Sequence, residues 1–214
     1  MKAIDKIKYI RKEIPVGVVE AKQLLDKFSE VEDAISYWKE EVEKLEQIEK
    51  EKKYIDLKEL YEFSPEYCKD IKPEHKAELK PLTTNYCNQL WNEYVTEEHR
   101  HLMLIRDNEN VKYQELRKCD FNWQDHWDSE NYDAFTKELA PNVDWNLKDK
   151  VYFFWGRYNG LETTWEVMCE YWIPFLYEDE KNIIINPQSE LVVILSVHGM
   201  VEIGKRKTKP NNMQ

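Results

Sequence analysis

The sequence predicts an α+β fold: a small three-helix module at the amino terminus, joined by a long helix to an α+β domain with a mainly antiparallel sheet at its carboxyl end. Three observations carry this. Apolar residues recur at helical spacing through the first 51 positions. Runs rich in β-branched and aromatic residues, separated by short turns, fill positions 151 to 203, and strands so closely spaced pair as antiparallel neighbours. Finally, 42% hydrophobic and 13% aromatic residues, with only five glycines and eight prolines among 214 positions, place the chain among globular proteins rather than disordered ones.

In the first stretch Ile4, Ile7, Ile10 and Ile14 form one helical stripe, which Pro15 and Gly17 break. Ala21, Leu24, Leu25 and Phe28 form a second. Ser29 and Glu32 stand at capping-box spacing ahead of a third stripe of Val31, Ala34, Ile35, Trp38, Val42, Leu45 and Ile48. A helix over positions 31–51 spans roughly 30 Å at about 1.5 Å per residue, which suits a connector. The expected division is 1–53 for this module, 54–206 for the second domain and 207–214 for a flexible tail.

The second domain opens with an extended segment at Tyr54, Ile55 and Leu57, after which Pro65, Pro73 and Pro81 cut the chain into brief pieces. Thr83 or Thr84 opens a helix with Tyr86, Leu90, Trp91 and Tyr94 on one side, ending near His99 to His101. Positions 106–133 read as a loop-rich middle. Val151, Tyr152, Phe153, Phe154 and Trp155 make a strand buried on both faces. A turn over 156–160 then leads to a helix from Thr163, whose hydroxyl stands at capping-box spacing from Glu166, with Leu161, Trp165, Met168, Cys169 and Trp172 repeating at helical spacing. Further strands are expected at 175–177, 182–186 and 190–196, and His198-Gly199 suits a two-residue hairpin turn into a strand over 200–203. Positions 205–214 are polar and expected to fray.

These residues carry three resemblances, two in the first module and one in the second domain. Ile7, Arg11, Gly17, Lys22, Leu25, Asp33, Ala34, Ile35 and Trp38 resemble the ubiquitin-associated-like module that opens elongation factor Ts. Arg11, Gly17, Glu20, Ala21, Lys22 and Leu25 are also similar to the helix-turn-helix of the ribosomal stalk protein's C-terminal domain. The resemblance implies a three-helix fold that docks onto proteins through the loop of Val16, Gly17 and Val18, although Ile14 and Pro15 replace the Thr-Gly that usually opens that turn. From about Tyr54 to Arg206 the chain resembles an uncharacterised bacterial family, through Lys80-Pro81-Leu82-Thr83, Gln89-Leu90-Trp91, Arg157-Tyr158-Asn159, Glu162-Thr163-Thr164-Trp165 and Trp172 before Phe175-Leu176. That resemblance implies a boundary near residue 53 and no activity.

Charge limits the partners. Residues 1–53 are nearly neutral at −1, and the remainder carries −10 of the net −11, which argues against a phosphate-backbone footprint and suits a basic protein partner. The longest apolar runs fall far short of the ~18 residues of a membrane span, and no signal-peptide core opens the chain, so the expected location is the cytoplasm. Cys68, Cys87, Cys119 and Cys169 lack metal-ligand spacing; no metal and no cofactor is expected. Glu97, Glu98, His99 and His101 read as a charged surface end, since ligands at i and i+2 do not share a helix face.

Two groups of candidate site residues remain. Asp120, Trp123, Asp125, Trp127, Asp128, Glu130, Tyr132 and Asp133 interleave aromatic and acidic side chains, as a surface for a basic partner would; alternatively the tryptophans are core and the acids a solvated edge, or carboxylates with His126 make an acid–base pair. Arg157, Tyr158, Asn159 and Glu162 suit a small ligand, with Arg157 clamping a carboxylate or phosphate; the competing reading pairs Arg157 with Glu162. Without a phosphate loop, a nucleophile elbow or a zinc-protease signature, the leading expectation is a non-catalytic interaction or immunity-type inhibitor protein. The alternatives are a ligand-binding protein or unrecognised enzyme with its site near Arg157, and an accessory factor of translation.

Overall fold

The computed structural model describes residues 3–60, 63, 68–106, 110–176 and 181–207. The chain forms two compact units, Met1–Lys52 and Lys53–Gln214.

The first unit is three helices, α1 (Ala3–Glu13), α2 (Val18–Lys27) and α3 (Val31–Glu51). The apolar stripes meet in a small core of Ile10, Ile14, Val16, Ala21, Leu24, Val31, Ala34 and Ile35. Gly17 is the N-cap of α2, in an extended conformation and with no side chain to cap the first amides. The Ser29–Glu32 capping box does not form: Glu30 is the N-cap of α3, so the pair is one residue out of register. Leu45 and Ile48 extend the apolar stripe of α3 beyond the core and are exposed.

The second unit is built on a seven-stranded sheet in the order β1-β4-β3-β5-β6-β7-β2, antiparallel at every pairing. Its strands are β1 (Lys80–Pro81), β2 (Tyr113–Asn122), β3 (Lys150–Gly156), β4 (Asn159–Thr164), β5 (Asn182–Ile185), β6 (Leu191–Leu195) and β7 (Met200–Arg206). Alternation along β3 sends Val151, Phe153 and Trp155 to one core and Tyr152 and Phe154 to the other, so both faces are covered. Register aligns Leu161, Phe153, Ile184, Val193 and Ile203 in one row across five strands. On that face pack α6 (Trp123–Asp128), a π-turn (Phe135–Leu139), α7 (Trp165–Glu170) and α8 (Trp172–Phe175), contributing Trp123, Phe135, Trp165 and Trp172. The other face is covered by α5 (Thr84–Tyr94), through Cys87, Leu90 and Trp91. A one-turn helix, α4 (Pro73–Lys76), has Pro73 at its first position, where the missing amide costs nothing.

Several local expectations are corrected. The segment 159–164 is the strand β4 and not the start of a helix; Thr164, one residue after Thr163, caps α7 by accepting from the Val167 amide. Asn159, Gly160, Thr163 and Thr164 are poor helix formers, and pairing with β3 satisfies their backbone groups. At Gly160 a side chain would strike the Phe153 carbonyl, at 2.7 Å, so only glycine admits this pairing. The middle is not loop-rich, because 113–122 is the long edge strand β2, whose bulges and charged residues hide the two-residue period. α5 stops at Tyr94, five residues short of His99, where the Val95 amide closes on Trp91. Phe175 ends a short helix rather than starting a strand, and Lys205 and Arg206 lie in β7 rather than in a frayed tail. The expectations for Pro65, Tyr177 and positions 208–214 fall outside the described residues.

The expected two-residue hairpin at His198-Gly199 is corrected to a three-residue turn: Leu195 pairs with Val201 and the Ser196 amide donates to the Met200 carbonyl, leaving Val197, His198 and Gly199 as the connection, with φ of 65° and 78° at the last two.

Candidate functional site

Three concave surfaces hold candidate residues, the first at a turn of the sheet and the second among helices and their connections. The first is a recess of about 450 Å³ where the β3–β4 turn meets the segment after α5. Register pairs Gly156 with Asn159, leaving Arg157 and Tyr158 as the turn. The Arg157 amide donates to the Arg100 carbonyl at 2.9 Å, fixing the two arginines side by side in sequence-distant segments. Close approach at Gly156 assists this, since a side chain there would meet the Arg100 carbonyl at 3.2 Å. Arg100, His101, Met103, Leu104, Trp155, Tyr158 and Asn159 line the recess with Arg157, and none of them is acidic.

The Arg157 guanidinium is only partly satisfied. Nη2 donates to the Thr96 carbonyl at 3.0 Å, while Nε is buried without a partner. Among the described residues no carboxylate pairs with Arg100 or Arg157.

The expected Arg157–Glu162 pair is therefore corrected. Glu162 lies four pairings further along the hairpin, 2% exposed, and accepts from Tyr54 Oη at 2.8 Å, with Lys150 Nζ at 3.1 Å and Lys80 Nζ at 3.5 Å. Lys80 faces Glu162 directly across β1–β4. Burial, with Glu162 beside it, pushes the Tyr54 hydroxyl well up. Glu162 is thus a saturated structural carboxylate, separate from the recess that holds Arg157, Tyr158 and Asn159.

The second surface is a cleft of about 440 Å³ lined by Asp70, Ile71, Trp127, Tyr132, Glu170, Tyr171, Trp172, Ile173 and Pro174. Its aromatic walls are held in place. Trp172 stacks on Phe135 at 4.9 Å and donates from Nε1 to the Tyr132 carbonyl at 2.9 Å. Trp127 stands edge-on to Trp172 at 6.0 Å and to Trp123 at 6.4 Å. At the rim Glu170 accepts from Lys72 Nζ at 2.8 Å and Tyr171 Oη at 3.1 Å and lies 3.3 Å from His75 Nδ1. The Lys72 bond, with some help from Tyr171, holds the Glu170 carboxyl below the usual carboxylate range, and burial pushes the Tyr171 hydroxyl up.

Of the other predicted residues, Asp120, Asp125 and His126 line a third recess of about 370 Å³ together with Glu138, and the rest are dispersed. Trp123 is buried and donates from Nε1 to the Ser196 carbonyl at 3.0 Å, while Asp125 and Asp128 are exposed on α6. His126 lies 3.1 Å from Glu138 through Nε2 and 3.0 Å from Asn131 through Nδ1, under the stacked ring of Phe121, so both its nitrogens are occupied. In the first unit Val16 is buried, and Val18 is exposed beside Gly17. Glu97 binds Lys112 and Glu98 accepts from Asn110; among the described residues no group of three His, Cys, Asp or Glu side chains suits a metal ion. All four cysteines are free thiols, with Cys87 and Cys169 pushed up by burial.

Sequence reasoning missed Arg100, Met103 and Leu104 in the recess, and Asp70, Glu170 and Tyr171 in the cleft. No local pattern marks them, because the recess and the cleft each form only where segments distant in the chain meet. Among the described residues, no helix is long and apolar enough to cross a membrane. Compared with known proteins, residues 54–204 match a family described as "Protein of unknown function (DUF2947)". No curated protein and no solved structure matches the chain.

Proposed function

The chain belongs to this DUF2947 family, and we propose that its second unit is a non-catalytic binding domain that takes an anionic ligand, a carboxylate or phosphate, on Arg157 and Arg100. The observation that supports this is the incomplete satisfaction of Arg157 in a recess lined, among the described residues, by no acid, in a chain with 42 acidic and 31 basic residues. A buried donor left without an acceptor costs about 1–3 kcal/mol, and an incoming oxyanion removes that cost while the planar fork of a guanidinium sets its orientation. Asn159 and Tyr158 add neutral polar groups beside the charge, and Met103 and Leu104 give the ligand's remainder an apolar shelf.

The test is a thermal-shift and calorimetric titration of the full chain with inorganic phosphate and with citrate. Saturable binding should raise the melting temperature, with a gain in unfolding free energy of about 2.7 kcal/mol at a ligand concentration one hundred times Kd. Arg157→Gln and Arg100→Gln should each abolish that rise. If neither anion stabilises the protein and Arg157→Gln merely lowers its stability, the guanidinium is a clamp on the Thr96 carbonyl and nothing more.

A second reading concerns the first unit, as a ubiquitin-associated-like docking module serving translation or another assembly. Its support is Val18, 53% exposed next to the Gly17 turn, with Val19 exposed beside it. In a pull-down with the full chain, Val18→Asp with Val19→Asp should lose any partner that the unaltered protein recovers. The immunity-type reading is supported by the acidic balance of residues 54–214; co-expression with a basic toxin encoded alongside should then relieve toxicity.

A further inference from the structure

We propose that the aromatic cleft is a second binding site, independent of the Arg157 recess, and that it takes an arginine side chain from a basic segment of a protein partner. The aromatic surface that the cleft presents to solvent is that of Trp127, Tyr132 and Tyr171, backed by Trp172, which is itself fully buried. Trp172 is locked by its stack on Phe135 and its bond to the Tyr132 carbonyl, and Trp127 is braced between Trp172 and Trp123. Tyr132, 54% exposed, leaves one wall open to solvent. Walls fixed before binding lose little freedom when a ligand enters.

The charges at the cleft select the occupant. Glu170 is engaged by Lys72, His75 and Tyr171, whereas Asp70 is exposed and, among the described residues, joins no ion pair. An apolar occupant would leave Asp70 unanswered, and an acidic one would face two carboxylates. A cation matches both features, since ring faces attract positive charge and Asp70 supplies the counter-charge. Arginine fits better than lysine because its planar guanidinium stacks on a ring while its edge donates two parallel bonds to a carboxylate. The volume of about 440 Å³ admits that side chain together with the neighbouring backbone. The −10 charge of residues 54–214 draws a basic segment toward this unit over longer range.

The experiment is calorimetric titration of the full chain with blocked hexa-arginine, hexa-lysine and hexa-glutamate peptides at about 150 mM salt. Hexa-arginine should bind saturably and about fivefold or more tightly than hexa-lysine, with no binding of hexa-glutamate. Asp70→Asn and Tyr132→Ala, both at exposed positions, should each weaken hexa-arginine binding about fivefold or more while leaving the melting temperature unchanged. Binding that is equal for the two basic peptides, that persists undiminished in both variants, or that fails to saturate overturns the proposal. A variant that lowers the melting temperature is replaced by Asp70→Glu or Tyr132→Phe, of which the first should restore affinity and the second should preserve it.

Discussion

At the scale of single residues, Glu162 and Arg157 show how partners decide a charge's role. Both are polar groups at the margin of an aromatic core. Glu162 has a hydroxyl and two ammonium groups around it, and Arg157 has one carbonyl and an unpartnered Nε. Replacing Glu162 by Gln should cost about 1–3 kcal/mol in urea denaturation, kept to that range because Lys80 and Lys150 are half exposed and screened. Glu170 gives a pH signature. Its folded value lies below the ordinary 4.5, with the Lys72 bond the largest cause, so the stability it contributes is complete above 4.5 and fades as pH falls through the folded value. Urea midpoints measured between about pH 6 and pH 3 should therefore drop more for the unaltered protein than for Glu170→Gln, with the gap closing at the acidic end.

Among the secondary elements, turns and edges set what the sheet presents. The β6–β7 connection depends on Gly199, whose φ is 78° and whose added side chain would fall 1.6 Å from Asn122 Oδ1. Gly199→Val should therefore cost about 2 kcal/mol or more and loosen the Asn122 cap that starts α6, read as a lower melting temperature and faster exchange at the Gln124 amide. In the centre of the sheet, Phe153 lies fully buried in the five-strand row, so Phe153→Ala should cost about 3–5 kcal/mol. The same substitution at exposed Tyr132 should be nearly neutral for stability, which is why it serves as a binding test.

For the whole molecule, the two units differ in how much they bury. Among the described residues the first rests on one small core of eight buried residues, and the second on two cores on opposite faces of a seven-stranded sheet. Hydrogen exchange should reflect that difference, with the amides of α1 and α2 exchanging fastest among the helices and those of β3 and β5 slowest. Equal protection in the two units would contradict this assignment. The elements whose signal is local were legible from the chain alone: the three stripes of the first unit, the cap of α5 at Thr83, the apolar runs of β3, β5 and β6, and the place of the turn at His198-Gly199. Periodicity, capping spacing and turn chemistry act over a few residues, so a sequence window contains them. What only the tertiary structure decided is long-range. Pairing with β3 made 159–164 a strand, register placed Lys80 and Lys150 on Glu162, and packing carried Asp70 to Trp127 and Trp172, and Arg100 to Arg157. The sequence by itself therefore determined the class of fold and most of its elements. Which charges are satisfied, and which remain open to a ligand, was set by contacts between segments that no local pattern links.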